Sequence, residues 1–180
     1  EGIDSLSGYG KMFYANVKLS GVVPQIAIIA GPCAGGASYS PALTDFIIMT
    51  KKAHMFITGP GVIKSVTGEE VTADDLGGAD AHMSTSGNIH FVAEDDDAAV
   101  LIAQKLLSFL PQNNTEDAQI SNPNDDVSPQ PELRDIVPLD GKKGYDVRDV
   151  ISKIVDWGDY LEVKACLLYT SDAADDLLCV

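Results

Sequence analysis

The feature that most constrains this chain is an apolar run that ends in a cluster of glycines. Residues 25–30, QIAIIA, are nearly all apolar and half of them are β-branched, which is the pattern of a strand buried on both faces of a sheet. The stretch GPCAGGASYS follows at once and places Gly31, Gly35 and Gly36 close together before helix-prone sequence. We therefore expect a buried strand, a turn over residues 31–34, and a helix that begins near residues 36–38.

Other segments predict further strands and helices. DFIIMT and HMFITG are two more strand candidates, and apolar spacing before the first strand predicts a helix from about Tyr9 to Leu19 that ends at Gly21. The apolar side of that helix carries four large side chains: Met12, Phe13, Val17 and Leu19. Short strands mixed with helices predict an α/β fold.

Capping residues indicate where the later helices begin. Helix starts are expected at Ser40 before Pro41, at Pro60, and after Thr72. The segment EDDDAAVLIAQKLLSFLP predicts a long helix with an acidic first turn, which suits the helix dipole. YDVRDVISKIVDWGDYLEV predicts another, with Asp146 as its N-cap and its end near Gly158.

The chain is predicted to be one domain followed by an unrelated tail. Residues 1–163 form the expected domain, within which 112–135 is rich in Asn, Asp, Pro and Ser and is expected to be a surface excursion or linker. Residues 164–180 fit no earlier pattern and resemble translated sequencing-adapter DNA, so we expect a non-native tail; the alternative is an amphipathic C-terminal helix. Since the chain starts at Glu1 and not at Met, we expect a fragment of a longer protein.

Charge and cysteine content restrict the classes of function. The 180 residues carry a net charge of −15, which argues against nucleic acid as a partner because phosphate binding needs a basic surface. The three cysteines show no metal-binding spacing and no disulfide framework, so a reduced, cytoplasmic setting is expected. The longest apolar stretch, residues 22–30, is about half of a membrane span.

The glycine cluster itself has two interpretations. A Gly pair after a buried strand can present two backbone N–H groups to an oxyanion or phosphate, and a side chain at Gly35 or Gly36 would block that approach or forbid a positive φ. The same residues also fit a plain tight turn, which the pattern alone favours. Neither a P-loop nor a dinucleotide-binding fingerprint is present.

The remaining candidate side chains favour structural roles. The three histidines lack metal spacing, Ser38 lacks the Gly-x-Ser-x-Gly elbow of a nucleophile, and Cys33 is more typical of a small buried filler than of a nucleophile. The cations near the centre fit either surface positions or contacts with a ligand phosphate: Lys51, Lys52 and Lys64. No metal site is expected, and any catalysis must depend on backbone dipoles and on groups of the substrate or cofactor.

Three long stretches together resemble one enzyme family: residues 1–49, residues 55–82 and PLDGKKGYDVRDVISKIVDWGDYLEV. They are similar to the carboxyltransferase component of biotin-dependent acyl-CoA carboxylases and decarboxylases, in particular to propionyl-CoA carboxylase β and methylmalonyl-CoA decarboxylase α subunits. The resemblance implies a crotonase-like fold, a spiral of ββα units, of which this chain is part of the N domain. It covers the chain almost without gaps from residue 1 to about 163.

The resemblance also implies a reaction and a site. A carboxyl group moves between carboxybiotin and the α-carbon of a short acyl-CoA, such as propionyl-CoA or methylmalonyl-CoA, through an enolate held in a backbone oxyanion hole. That hole falls on Gly35 and Gly36, with Ala34 and Ala37 beside it as substrate-binding residues that keep the approach clear.

The same resemblance implies cofactors and partners. Biotin arrives on a biotin carboxyl carrier protein, and the further partners are a biotin carboxylase or the subunits of a membrane decarboxylase. The subunit forms homo-oligomers, usually dimer-based hexamers, and this piece alone is expected to be inactive.

Two other functions stay open. One is a crotonase-like hydratase or thioesterase acting on acyl-CoA, and the other is a non-enzymatic acidic interaction domain. Within the main interpretation, the choice between carboxylase and sodium-pumping decarboxylase and the acyl chain length stay undecided.

Overall fold

The computed structural model describes residues 2–118, 129 and 131–165. The described residues fall into two compact units, one made of those within Glu1–Lys105 together with residues 163–165, and the other of those within Leu106–Glu162. The elements follow in this order: helix α1 (Ile3–Leu19), strands β1 (Ile26–Ile29) and β2 (Pro32–Ala34), α2 (Gly36–Ala42), β3 (Phe46–Thr50), β4 (His54–Phe56), α3 (Pro60–Thr67), α4 (Ala73–Gly77), α5 (Ala79–Ala81), a π-helical turn (His82–Ser86), β5 (Phe91–Ala93), α6 (Asp96–Ser108), α7 (Leu133–Ile136), α8 (Val147–Ile154) and a 3₁₀ turn (Asp156–Gly158).

The strands of the first unit form two parallel sheets, and the predicted α/β class is confirmed. One sheet has the order β1-β3-β5, with Ile26 opposite Phe46 and Ile48 opposite Phe91. The other pairs β2 with β4, with Cys33 opposite Met55. Parallel pairing requires crossover connections, and α2 supplies the connection between β1 and β3.

The predicted strand in QIAIIA is confirmed as β1, but only part of it is buried. Ile29 is 4% exposed, whereas Ile28 is 42% exposed. Burial on both faces belongs to the central strand β3, where Ile48 and Met49 are fully buried. The expected turn over residues 31–34 is wrong, because residues 32–34 form strand β2 and the sharp change of direction falls one residue later.

Helix α2 begins at Gly36, as predicted, and runs through Pro41, so Ser40 is not an N-cap. Proline inside a helix removes the N–H that would reach the carbonyl four residues earlier. Here that carbonyl belongs to Ala37, and the Cys33 thiol donates to it at 3.4 Å. The thiol therefore replaces the missing backbone donor.

Helix α1 begins earlier than predicted, and its packed face differs in part from the predicted one. It begins at Ile3 rather than Tyr9 and ends at Leu19, as predicted. Phe13 lies on the half-buried side as predicted, and its ring lies 5.9 Å from that of Tyr39 on α2. Met12, Val17 and Leu19, also expected there, are exposed, and Tyr9 and Asn16 share the half-buried side with Phe13.

The helix starts at Pro60 and Thr72 are confirmed. Pro60 opens α3, and the Thr72 hydroxyl accepts a hydrogen bond from the Asp75 N–H, which caps α4. The core of this unit packs eight buried side chains together: Ile29, Ile47, Met49, Ala53, Met55, Ala79, Met83 and Ile89.

The second unit contains the end of α6 together with α7 and α8. Asp146 caps α8 as predicted, since its carboxylate accepts from the Arg148 N–H at 2.9 Å. Helix α8 ends at Ile154, short of the predicted end, and Trp157 and Gly158 beyond it have positive φ angles.

The expected tail falls almost wholly outside the described residues, and the expected linker falls partly outside them. The expected linker at 112–135 includes residues 119–128 and 130, and the expected tail at 164–180 includes residues 166–180. In the part of the chain that the structure describes, no helix is both long and apolar enough to cross a membrane.

Candidate oxyanion site

The turn between β2 and α2 has a backbone conformation that suits glycine. Gly35 has φ +62° and ψ −132°, a region that residues with a side chain rarely adopt. Its N–H donates to the carbonyl oxygen of Phe56 at 3.1 Å, which continues the β2–β4 pairing by one residue. Its carbonyl oxygen accepts the Ser38 N–H at 3.0 Å and the Ser38 hydroxyl at 2.6 Å.

The next two backbone donors are unused. Within the described residues, the N–H groups of Gly36 and Ala37 donate no hydrogen bond. Both residues are half-buried, and they are consecutive on the chain. Free donors at adjacent positions are the groups that an oxyanion requires.

The sequence predicts two roles for the pair Gly35 and Gly36, a backbone with positive φ and free N–H donors, and in the structure the two residues differ. The positive φ belongs to Gly35, whereas Gly36 is the first residue of the helix. A Cβ atom at Gly36 would lie 3.9 Å from the Tyr9 ring, which is an ordinary contact. Beside them, Ala34 is exposed at the end of β2 and Ala37 is the second helical residue.

A cavity of about 370 Å³ shares Ser38 and Phe56 with this turn. Its volume falls in the range of small-molecule sites, and its wall is mostly apolar. The remaining lining residues are Tyr39, Ala42, Thr44, Ile47, Met55, Ile57, His82, Asn88 and His90.

The two histidines in this cavity are held by hydrogen bonds. His82 is buried, with Nε2 2.6 Å from the Met55 carbonyl oxygen and Nδ1 2.7 Å from the Ser86 hydroxyl. His90 Nδ1 accepts the Ile47 N–H at 3.0 Å, so its proton lies on Nε2. Burial lowers the pKa of His90, and the nearby Lys164 charge lowers it further. Both therefore fit the structural role expected for them.

Several charged or titratable side chains of the central segment have partners. His54 pairs with Asp74 at 2.8 Å, Lys51 with Glu94, and Lys64 with Glu70. Asp45, the nearest carboxylate after the turn in sequence, accepts the Gln25 N–H at 2.8 Å. Among the residues described, no cluster of His, Cys, Asp and Glu could hold a metal ion.

Cys33 is half-buried beside the core, which matches the expected filler role. Desolvation raises the pKa of its thiol, so the thiolate form is disfavoured. The turn therefore offers hydrogen-bond donors without an adjacent nucleophile or general base among the described residues, and this limits it to stabilising negative charge that develops on a ligand.

The comparison with known proteins identifies the class. The model of the carboxyl transferase domain family matches residues 1–167, and the chain belongs to that family. Its structural neighbours have the crotonase-like fold, so the fold implied by the resemblance is confirmed for this partial domain.

Individual relatives extend this result. The methylmalonyl-CoA carboxyltransferase 12S subunit of Propionibacterium freudenreichii subsp. shermanii is 89% identical over 165 residues, covering 92% of this chain and 32% of that protein. The methylmalonyl-CoA decarboxylase subunit alpha of Veillonella parvula is 56% identical over 166 residues, covering 91% of this chain and 33% of that protein. A crystal structure of transcarboxylase 12S with hydrolysed methylmalonyl-coenzyme A bound has a TM-score of 0.89 and 87% identity, covering 94% of this chain and 33% of the other. The chain thus spans about a third of the length of these relatives.

The part that Ser38 takes in the turn was not predicted from the sequence. Ser38 is no nucleophile candidate by its motif, yet its side chain is 2% exposed and donates to the Gly35 carbonyl. The available signal was the spacing, since a serine three residues after a turn glycine can reach back to that glycine's carbonyl.

Proposed function

We propose that this chain is the acyl-CoA half of a biotin-dependent carboxyl transferase. The reaction moves a carboxyl group between carboxybiotin and the α-carbon of a short acyl-CoA, either propionyl-CoA or methylmalonyl-CoA. Family membership supports the reaction class. The methylmalonyl-CoA named for two relatives, and the hydrolysed form bound in transcarboxylase 12S, support the acyl group.

The observation that carries the proposal is the pair of unused donors at the turn. The N–H of Gly35 already donates to Phe56. We therefore assign the oxyanion hole to the N–H groups of Gly36 and Ala37, one residue further along than the Gly35–Gly36 pair implied by the resemblance. Gly35 supplies the backbone angle that brings them out of the strand, and Ala34 precedes it on the approach side.

These donors act on charge that exists only during the reaction. Carboxyl transfer to or from the α-carbon passes through an enolate, whose thioester oxygen becomes negative. Donors that bind this oxygen more strongly than the ground-state carbonyl lower the barrier rather than merely tightening substrate binding. Loss of one such donor typically lowers kcat by about 10²–10³-fold.

Biotin is the implied carrier, and it supplies or accepts the carboxyl group when bound. The described residues do not fit a biotin site, because the two free N–H groups of the turn, those of Gly36 and Ala37, are already assigned to the enolate. No step is therefore assigned to biotin here. What this chain contributes is the binding of the thioester and the stabilisation of its enolate.

The alternatives have less support. A crotonase-like hydratase or thioesterase usually has a carboxylate near the hole, whereas residues 31–43 contain none and Asp45 is bound to the Gln25 backbone. A non-enzymatic acidic domain has no use for a glycine with positive φ followed by two free donors.

The proposed assembly and partner follow from the relatives. Transcarboxylase 12S assembles as a hexamer, and we propose that the protein that carries this chain is also a homo-oligomer. A biotin carboxyl carrier protein is the expected partner, and the cytoplasm is the expected location. Carboxylase, decarboxylase and transcarboxylase all use this same half-reaction.

The test uses the intact subunit, meaning the full-length polypeptide that carries residues 1–163. Carboxyl transfer between carboxybiotin and propionyl-CoA is measured for the wild type, Gly36→Pro and Gly36→Ala. Residue 36 is the first helical position, where a helix tolerates proline. Proline removes the N–H of residue 36, and loss of this donor should lower kcat by about 10²–10³-fold. Alanine keeps the N–H and should retain more activity than proline.

Equal loss in both variants would mean that space, and not the donor, matters at Gly36. A folded wild-type subunit without any transfer activity would refute the proposed function.

A further inference from the structure

The Ser38 hydroxyl has a position that the proposed reaction does not yet explain. Its side chain is 2% exposed, and Oγ lies 2.6 Å from the Gly35 carbonyl oxygen and 3.3 Å from the Phe56 carbonyl oxygen. The Gly35 N–H donates to the same Phe56 oxygen at 3.1 Å. A serine hydroxyl has one proton, and the shorter distance assigns that proton to Gly35.

The carbonyl that Ser38 holds belongs to the same peptide group as the Gly36 N–H. This group is planar and trans, so its C=O and N–H point in opposite directions. A hydrogen bond that fixes the direction of the Gly35 carbonyl therefore fixes the direction of the Gly36 N–H. It also polarises the peptide group, which strengthens the N–H as a donor.

We propose that Ser38 is a positioning residue that aims the Gly36 N–H at the enolate oxygen. The inference rests on the proposed function of the turn. Gly35 has no side chain to restrict its backbone, and its φ of +62° is one of several angles open to glycine. The Ser38 N–H also donates to the Gly35 carbonyl at 3.0 Å, and the hydroxyl adds the shorter bond of 2.6 Å, which holds the peptide group in the orientation where the donor is useful.

Helix α2 provides a matched control for this role. Ser40 is two residues further along, and its hydroxyl donates to Asn16 Oδ1 at 2.8 Å. Ser40→Ala therefore removes one serine hydroxyl and one hydrogen bond from the same helix without touching the Gly35 peptide group. Ser38→Thr keeps the hydroxyl and adds a methyl group at a residue that lines the cavity of about 370 Å³.

The experiment measures carboxyl transfer by the intact subunit for the wild type, Ser38→Ala, Ser38→Thr and Ser40→Ala. Ser38→Ala should lower kcat by about tenfold or more, while KM for propionyl-CoA stays within about twofold, because a misdirected donor affects the enolate more than the ground state. Ser38→Thr should restore most of kcat, and Ser40→Ala should behave like the wild type. Thermal unfolding is followed for every variant, and Ser38→Cys, a weaker donor, replaces Ser38→Ala if the latter does not fold.

The outcomes separate this inference from the proposed function. An inactive wild-type subunit refutes the proposed function. An active wild type with equal kcat in Ser38→Ala and Ser40→Ala overturns the positioning role alone. The positioning role is also overturned if threonine fails to restore kcat in a folded protein, or if kcat and KM change together.

Discussion

The chain contains two Gly-Gly pairs, and their surroundings are opposite. Around Gly35 and Gly36, added Cβ atoms would meet neighbours no closer than 3.9 Å. At Gly77 an added Cβ would overlap the Met55 carbonyl oxygen, and at Gly78 it would lie 2.6 Å from that of Asp74. The Gly-Gly dipeptide at residues 35–36 therefore leaves backbone donors accessible, whereas the one at residues 77–78 allows two backbone segments to pack closely.

This difference follows from what each pair faces. Gly77 ends α4, which packs directly against β4, and the absence of a side chain lets the two backbones approach each other. Gly35 and Gly36 lie where strand β2 passes into helix α2. The chain turns there, and the N–H groups of Gly36 and Ala37 stay unpaired. Substitutions at Gly77 should therefore affect folding, and substitutions at Gly36 should affect catalysis.

The largest effect on stability is expected for Gly77→Ala. The new methyl group would overlap the Met55 carbonyl and the Phe56 ring, and overpacking of this kind costs about 3 kcal/mol. Denaturant unfolding of the intact subunit measures the change. Gly61→Ala is the control, because nothing lies within 4 Å of its added Cβ. Similar stabilities for the two variants would show that the contact at Gly77 relaxes freely.

A smaller loss of stability is expected for Gly35→Ala. The added Cβ has space, at 3.9 Å from the Ile57 carbonyl oxygen, but the backbone angles φ +62° and ψ −132° are unfavourable for alanine by about 1–3 kcal/mol. The same unfolding measurement applies, with carboxyl transfer assayed alongside. An unchanged unfolding free energy would mean that the turn rearranges, and kcat should then fall because the donors move.

The smallest effect is expected for the unfolding of Gly36→Ala. Its Cβ would make an ordinary contact of 3.9 Å with the Tyr9 ring, and alanine favours a helix over glycine by up to about 1 kcal/mol. The variant should therefore be as stable as the wild type or slightly more so. A destabilisation comparable to that of Gly77→Ala would remove the distinction between the two glycine pairs.

Local patterns in the sequence were sufficient for several elements. Apolar β-branched runs predicted β1 and β3, and capping residues placed the starts of α3, α4 and α8. These signals act between near neighbours, since a cap or a fixed proline φ needs only the adjacent turn. The partner of Cys33, the carbonyl that Pro41 leaves unpaired, was not predictable, because it depends on a helix continuing through a proline.

The sequence by itself determined that a strand leads through glycines into a helix, and its motifs determined the family. Which N–H groups of that turn are free was decided only by the tertiary structure. The carbonyl of Phe56, on a strand that follows the turn in sequence, takes the N–H of Gly35 and leaves those of Gly36 and Ala37. The burial of Ser38 against the same carbonyl has the same origin. The pairing of β2 with β4 determines both the free N–H groups and the burial of Ser38. A local sequence pattern does not indicate which carbonyl from a distant part of the chain will lie beside the turn.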